Sequence, residues 1–245
     1  MSNFNGMFEP REETSIRFYG EWASPEAERL QQAFFDAIGL YHKLPDAIRY
    51  MDGMSGKKYR YLINNLIATT PDCRYLEIGS WKGSTACSAI YDNELKATCI
   101  DNWSEFGGPK QEFINNINQA KNDKVEFNFI ENDFRRVDYS SIGKYNVYMF
   151  DGPHLEQDQY DGVFMVQEAL DDVYTLIVDD FNQPEVQRGT LRAIEDLGHT
   201  IVAQIMVATL QEGYNPKLCY QYSDWHNGYF IGVVKKQQVD SVQTR

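Results

Sequence analysis

Residues Tyr75 to Thr85 read YLEIGSWKGST. A short apolar run ends in an acid and a glycine. After a second glycine, Ser84 and Thr85 open a helical pattern. Glycine lets the backbone bend sharply and approach a ligand closely. The dinucleotide loop, G-x-G-x-x-G, is built for pyrophosphate. Here the pattern is E-x-G-x-x-x-G, with Glu77 ahead of Gly79 and Gly83. A carboxylate there repels pyrophosphate and suits a cationic ligand. Taken alone, the stretch is equally an ordinary strand-to-helix turn.

Outward from this turn, short apolar runs alternate with helical segments. The runs are 75–78, 98–100, 125–130, 145–150, 175–178, 200–207 and 229–235. Helices are predicted over 84–91, 109–120, 157–170 and 184–197. This alternation predicts an α/β fold: a seven-stranded, mostly parallel sheet covered on both faces. The last two runs have no helix between them and are expected to pair as an antiparallel edge hairpin. On the N-terminal side, Ser24-Pro25 starts a helix that Gly39 ends. Another helix follows Met54-Ser55-Gly56, with Tyr59, Leu62, Ile63, Leu66 and Ile67 at helical spacing, and stops at Thr70-Pro71. The first twenty residues read as an irregular arm. Residues 1–54 are thus expected to be an arm plus a helical lid or dimerisation segment, and 55–245 the main domain.

Ligands in such sheets bind beyond the carboxyl ends of the strands. The second run ends in Asp101-Asn102-Trp103, placing an acid roughly 20 residues past the loop, where ribose hydroxyls are commonly held. The alternative for Asp101 is a cap or a solvated loop acid. The third run ends in Glu131-Asn132-Asp133-Phe134. There a carboxylate could accept from an adenine amine and a ring could cover the base, although Asp133 could equally be a turn residue.

In this order the three elements resemble the Rossmann-like fold of class I S-adenosylmethionine-dependent methyltransferases, over roughly residues 55–235. The resemblance implies that Glu77, Gly79 and Gly83, with Ser80, Ser84 and Thr85, line the methionine end of the cofactor. Asp101, with Asn102 and Trp103, would hold the ribose. Asp133 and Phe134 would flank the adenine.

Two further strand ends carry Asp151-Gly152-Pro153-His154 and Asp179-Asp180. Three carboxylates brought together repel one another unless protonated or neutralised. A hard divalent cation such as magnesium, which takes oxygen ligands, neutralises them. His154, on the same turn as Asp151, could act as a general base toward a hydroxyl. The alternatives are a helix cap for the two aspartates and a backbone-bonded loop histidine. The D-G-x-H and D-D pair resembles metal-dependent O-methyltransferases of macrolide sugars. That resemblance implies magnesium on Asp151, Asp179 and Asp180, with Asp151 also beside the cofactor, and His154 as the catalytic base. The expected reaction is O-methylation of a small hydroxyl-bearing substrate such as a sugar or glycosylated metabolite. The competing readings are a non-catalytic S-adenosylmethionine-binding module and a nicotinamide-dependent oxidoreductase. The missing G-x-G-x-x-G opposes the second.

The net charge of −13 argues against a nucleic-acid partner. The basic stretch Lys57-Lys58-Tyr59-Arg60 reads as a solvated helix face. Met54 to Lys57 are expected to cap a helix near the methionine carboxylate. The loop 208–228 carries Tyr214, Tyr220, Tyr222, Trp225 and His226, which could face a ring-bearing substrate or pack on one another. Cys73, Cys87, Cys99 and Cys219 form no C-x-x-C pair and read as reduced and buried. With no membrane span and no secretory leader expected, the reading is a cytoplasmic enzyme, with a homo-oligomer left open.

Overall fold

The computed structural model describes residues 14–209 and 218–237. Five strands form its parallel centre: β2 (Arg74–Ile78), β3 (Leu95–Asp101), β4 (Val125–Glu131), β5 (Tyr145–Phe150) and β6 (Leu170–Val178). Three more complete one sheet: β1 (Thr14–Gly20), β7 (Thr200–Thr209) and β8 (Tyr229–Lys235). The order is β1-β7-β8-β6-β5-β2-β3-β4. The sheet therefore has eight strands, not seven. β7 and β8 pair antiparallel as expected, flanking the parallel strands beyond β6, and the additional β1 pairs with β7 on its far side.

The extra strand comes from the segment read as an irregular arm. Thr14 pairs with Thr209, and Gly20 with Ala203. Ile16, Phe18 and Tyr19 are residue types that suit a pleated surface. Their hydrogen-bonding partner is almost the whole chain away, so no local pattern announces the strand.

Helices cover both faces. α1 (Pro25–Ile38) starts where Ser24 Oγ accepts from the Ala27 N–H at 3.2 Å. It buries Leu30 and Phe34, and a short α2 (Asp46–Arg49) follows. Next come α3 (Lys57–Thr69), α4 (Ser84–Ile90), α5 (Lys110–Ala120), α6 (Glu156–Phe164) and α7 (Pro184–Asp196). Beyond Phe164 the segment expected to stay helical tightens into a 3₁₀ turn, Met165–Ala169. Leu62, Ile63, Leu66 and Ile67 of α3 join the same buried cluster as Leu30 and Phe34. Among the described residues, no helix is long and apolar enough to cross a membrane.

β2 is the strand from which the chain runs both ways: β3 and β4 lie on one side, β5 and β6 on the other. Ile78 sits level with Phe150, and Phe150 with Val178. The residues that follow, Gly79, Asp151 and Asp179, therefore emerge side by side at the switch point, where open α/β sheets bind ligands.

Candidate active site

The turn after β2 has the shape its glycines predict. Gly79 has φ 88°, and a Cβ there would lie 1.7 Å from the Asp151 carbonyl oxygen. Only glycine permits that contact. Gly83, at φ 83°, leads into α4. Glu77 is wholly buried, and burial pushes its carboxyl up to about 7, against a hydrogen bond donated by Tyr75 Oη at 2.5 Å. The Ser80 and Thr85 hydroxyls face the same carboxyl and, like Tyr75, hold its rise in check. Together these groups form a polar inner wall to the turn. Ser84 and Thr85 are buried in the first turn of α4.

The expected ribose acid lies beside this turn. Asp101 Oδ2 accepts from the Trp81 N–H at 2.8 Å, and Oδ1 from the Trp103 N–H at 2.6 Å. Each carboxylate oxygen has a second lone pair, so Asp101 can knit two turns and still accept from a ligand. The Trp103 indole donates to the Trp81 carbonyl at 2.9 Å, and Asn102 Oδ1 accepts from the Ser104 N–H at 3.0 Å.

At the third strand end, Asp133 caps a 3₁₀ turn through the Arg135 N–H at 2.9 Å. The Phe134 ring is only 7% exposed, edge-on to Phe150 at 5.5 Å, with the Arg135 guanidinium 4.5 Å from its centroid. The 3₁₀ turn directs this ring into the core.

Across the switch point, Asp151, His154 and Asp180 bring their ligand atoms within 4.8 Å of one another. His154 Nε2 lies 2.8 Å from Asp180 Oδ2, and its Nδ1 lies 3.2 Å from Gln183 Nε2. The Asp180 hydrogen bond raises the His154 pKa. Burial alone would raise Asp180 too, but the His154 hydrogen bond and charge outweigh it and hold the carboxyl below its ordinary value. Enclosure by protein, then the charge of Asp180, pushes Asp151 well up. Asp180 has φ 54°, a conformation uncommon for non-glycine residues and frequent at functional sites.

Asp179 stands apart from this trio. Its Oδ1 accepts from the Asp180 N–H at 2.7 Å, and burial followed by the charge of Asp151 raises its pKa strongly. The two buried tyrosines whose charged forms its field opposes, Tyr59 and Tyr229, stack at 4.2 Å and 8°. The Tyr229 hydroxyl also hydrogen-bonds the Asp179 carboxyl, which offsets part of that rise.

Several participants were not legible as site residues. Asn227 donates to Asp180 Oδ1 at 2.5 Å. Its signal was register: Val178 pairs with Phe230, so the residues beyond each must meet. In the aromatic loop, Trp225 is core, stacked on Phe34 at 5.3 Å, while Tyr222 is 67% exposed. His226 is buried beside Tyr220, and Tyr214 lies outside the described residues. The basic stretch is not a solvated face. Arg60 is fully buried, and Lys58 pairs with Asp224 at 2.8 Å. Nor does residue 54–57 offer α3 to an anion, since the Lys57 and Lys58 N–H groups donate to the Ser223 and Asp224 carbonyls.

No family model matches the chain, and no curated protein does. Among solved structures, a candidate RNA methyltransferase of Pyrococcus horikoshii overlays with a TM-score of 0.50 at 13% identity, covering 85% of this chain and 98% of that one. The O-methyltransferase TomG of Streptomyces achromogenes, in complex with SAM, gives 0.48 at 16% identity, covering 85% and 90%. TrmN of Thermus thermophilus gives 0.46 at 12%, covering 73% of this chain, which spans 49% of TrmN. The first overlay shows a Rossmann-like methyltransferase fold, and at these identities the likeness concerns the fold alone.

Proposed function

We propose that this protein is an S-adenosylmethionine-dependent methyltransferase that methylates a hydroxyl oxygen of a small substrate, with help from a divalent cation such as magnesium. The observation that carries the reading is the position of Asp151. Its carbonyl is pressed against Gly79 of the cofactor turn, while its carboxylate belongs to the acid–histidine cluster. One residue thus joins a nucleoside-type site to a group able to activate a hydroxyl.

The inner wall suits a sulfonium ligand. Glu77, Ser80 and Asp151 present oxygen acceptors there, and a cationic ligand beside Glu77 and Asp151 would favour their charged forms. In the reaction, the acceptor oxygen attacks the methyl carbon as the C–S bond breaks. The bonding pair stays on sulfur, giving S-adenosylhomocysteine. The hydroxyl proton passes to Nδ1 of neutral His154 in place of the Gln183 amide contact, while Asp180 holds the Nε2–H and so orients the ring. The protein's main contribution is alignment.

The donor set fits a hard cation: Asp151 and Asp180 face one centre with His154, and Asp179, outside that trio, would add the third acid that the resemblance implies. A bound cation would supply Lewis acidity that lowers the hydroxyl pKa. The sugar-like acceptor rests on the D-G-x-H and D-D resemblance and on the exposed Tyr220 and Tyr222 rings, which belong to the same loop as Asn227, the partner of Asp180.

The test is calorimetric titration with S-adenosylhomocysteine, followed by methyl transfer to a panel of hydroxylated sugars and phenols with and without magnesium. Binding plus magnesium-dependent transfer to oxygen is expected. Absence of S-adenosylhomocysteine binding overturns the reading. Binding without transfer to any acceptor leaves a non-catalytic binding module.

A further inference from the structure

Arg60 is fully buried on α3, and no carboxylate among the described residues lies within ion-pair distance of it. A buried guanidinium needs hydrogen-bond acceptors to offset lost hydration. This one finds them in a single segment. Nη1 donates to the carbonyls of Ile48, Arg49 and Met51 at 3.2, 3.2 and 2.7 Å. Nη2 donates to the Gly53 carbonyl at 3.3 Å, and Nε to Ser55 Oγ at 2.9 Å. All three nitrogens are thus spent on residues 48–55.

That segment lies on the cofactor turn. Ser55 Oγ is 3.1 Å from Ser84 Oγ. A Cβ on Gly53 would lie 2.1 Å from Ser84 Oγ, so the Gly53 backbone packs directly on the Ser84 side chain. Asp52 Oδ2 pairs with Lys82 Nζ at 2.6 Å. One turn along α3, Asn64 donates to the Ser88 and Tyr91 carbonyls, each at 2.9 Å. The face carrying Arg60 and Asn64 therefore holds α4 at both ends, through the 48–55 segment at its start and directly at its finish.

We propose that Arg60 is a positioning residue for the cofactor: it latches residues 48–55 against Lys82–Ser84 and so fixes the turn that receives the methionine end. This rests on the methyltransferase reading above. Lysine keeps the charge but, as a point donor, cannot span five acceptors in a planar fork. Loss of the latch should weaken cofactor binding while sparing the acid–histidine cluster, which it does not touch.

The experiment uses Arg60→Lys, Ser55→Ala and the double variant, with S-adenosylhomocysteine as the calorimetric probe. Amide hydrogen exchange on the ligand-free protein is the second readout. Arg60→Lys should weaken binding and raise KM for S-adenosylmethionine by roughly tenfold, the scale of a small misplacement in a preorganised site, with kcat within about twofold. Ser55→Ala should shift both in the same direction by less. The double variant should be no worse than Arg60→Lys alone, because both cut one chain of contacts. Exchange should quicken at residues 82–85 and stay unchanged in β5 and β6. Unchanged affinity in folded Arg60→Lys, additive effects, or exchange quickened uniformly across the sheet overturns the latch. Should Arg60→Lys fail to fold, Ser55→Ala decides through the same readouts. Should the wild type not bind S-adenosylhomocysteine, the functional reading fails, and the exchange pattern alone decides the latch.

Discussion

The two sides of the sheet's carboxyl edge treat their carboxylates differently. On the β3–β4 side, Asp101 and Asp133 accept from backbone N–H groups and hold turns in shape. On the β5–β6 side, Asp151 and Asp180 converge with His154, and the charges of both bear on the neighbouring Asp179. The first arrangement is complete as it stands and offers spare lone pairs. The second concentrates like charge in an enclosed space, which is costly without a counter-charge. The fold thus sets turn-holding acids on one side of the switch point and crowded acids on the other.

The largest expected effect would break the reactive side. His154→Ala should lower kcat by about 10²–10⁴-fold, the range for a general base. S-adenosylhomocysteine affinity, read by calorimetry, should stay near the wild-type value. Near-normal turnover would show that the proton leaves by another route. Next, excess EDTA should suppress turnover by more than about 10²-fold, and added magnesium should restore it. An unchanged rate in chelator would mean that His154 and protons alone balance the three acids.

Glu77 links the two sides and gives a pH test. Its carboxyl rises from 4.5 to about 7 on folding. Between those values the native state holds a proton that the unfolded chain has released. The resulting stabilisation is full below the unfolded value and is lost as pH rises through the folded one. Wild type should therefore lose on the order of 3 kcal/mol relative to Glu77→Gln across that window. Urea melts at several pH values measure the difference, and a flat difference would place a charged carboxylate there throughout.

The smallest effect sharpens the recognition side. Phe134→Leu should cost about 1 kcal/mol in urea stability, the scale for trimming a packed core ring conservatively, and should change KM for S-adenosylmethionine less than about threefold. A large rise in KM with stability intact would mean that the ring covers the adenine after all.

These contrasts also show what the chain discloses before it folds. The parallel core strands and the residues just past them were legible, because apolar runs and glycine turns are local signals. Thus Gly79, Asp101, Asp151 and Asp180 stand at the strand ends where they were expected. Side-chain direction was not legible. Phe134 follows its acid in sequence, but its packing against Phe150 is set by a 3₁₀ turn that no residue pattern announces. Asp179 and Asp180 are neighbours, yet only Asp180 joins His154. Arg60 looked solvated because its acceptors are backbone carbonyls, which no residue type advertises. β1 was missed for a related reason, since its partner is distant.

That last pairing bears on biosynthesis. β1 hydrogen-bonds β7, and β7 in turn lies against β8 near the other end of the described chain. During vectorial translation, β1 leaves the ribosome well before β7, the strand it pairs with, and has to wait for it. Until then it would present an open edge carrying Phe18 and Tyr19, the kind of surface that invites association between nascent chains.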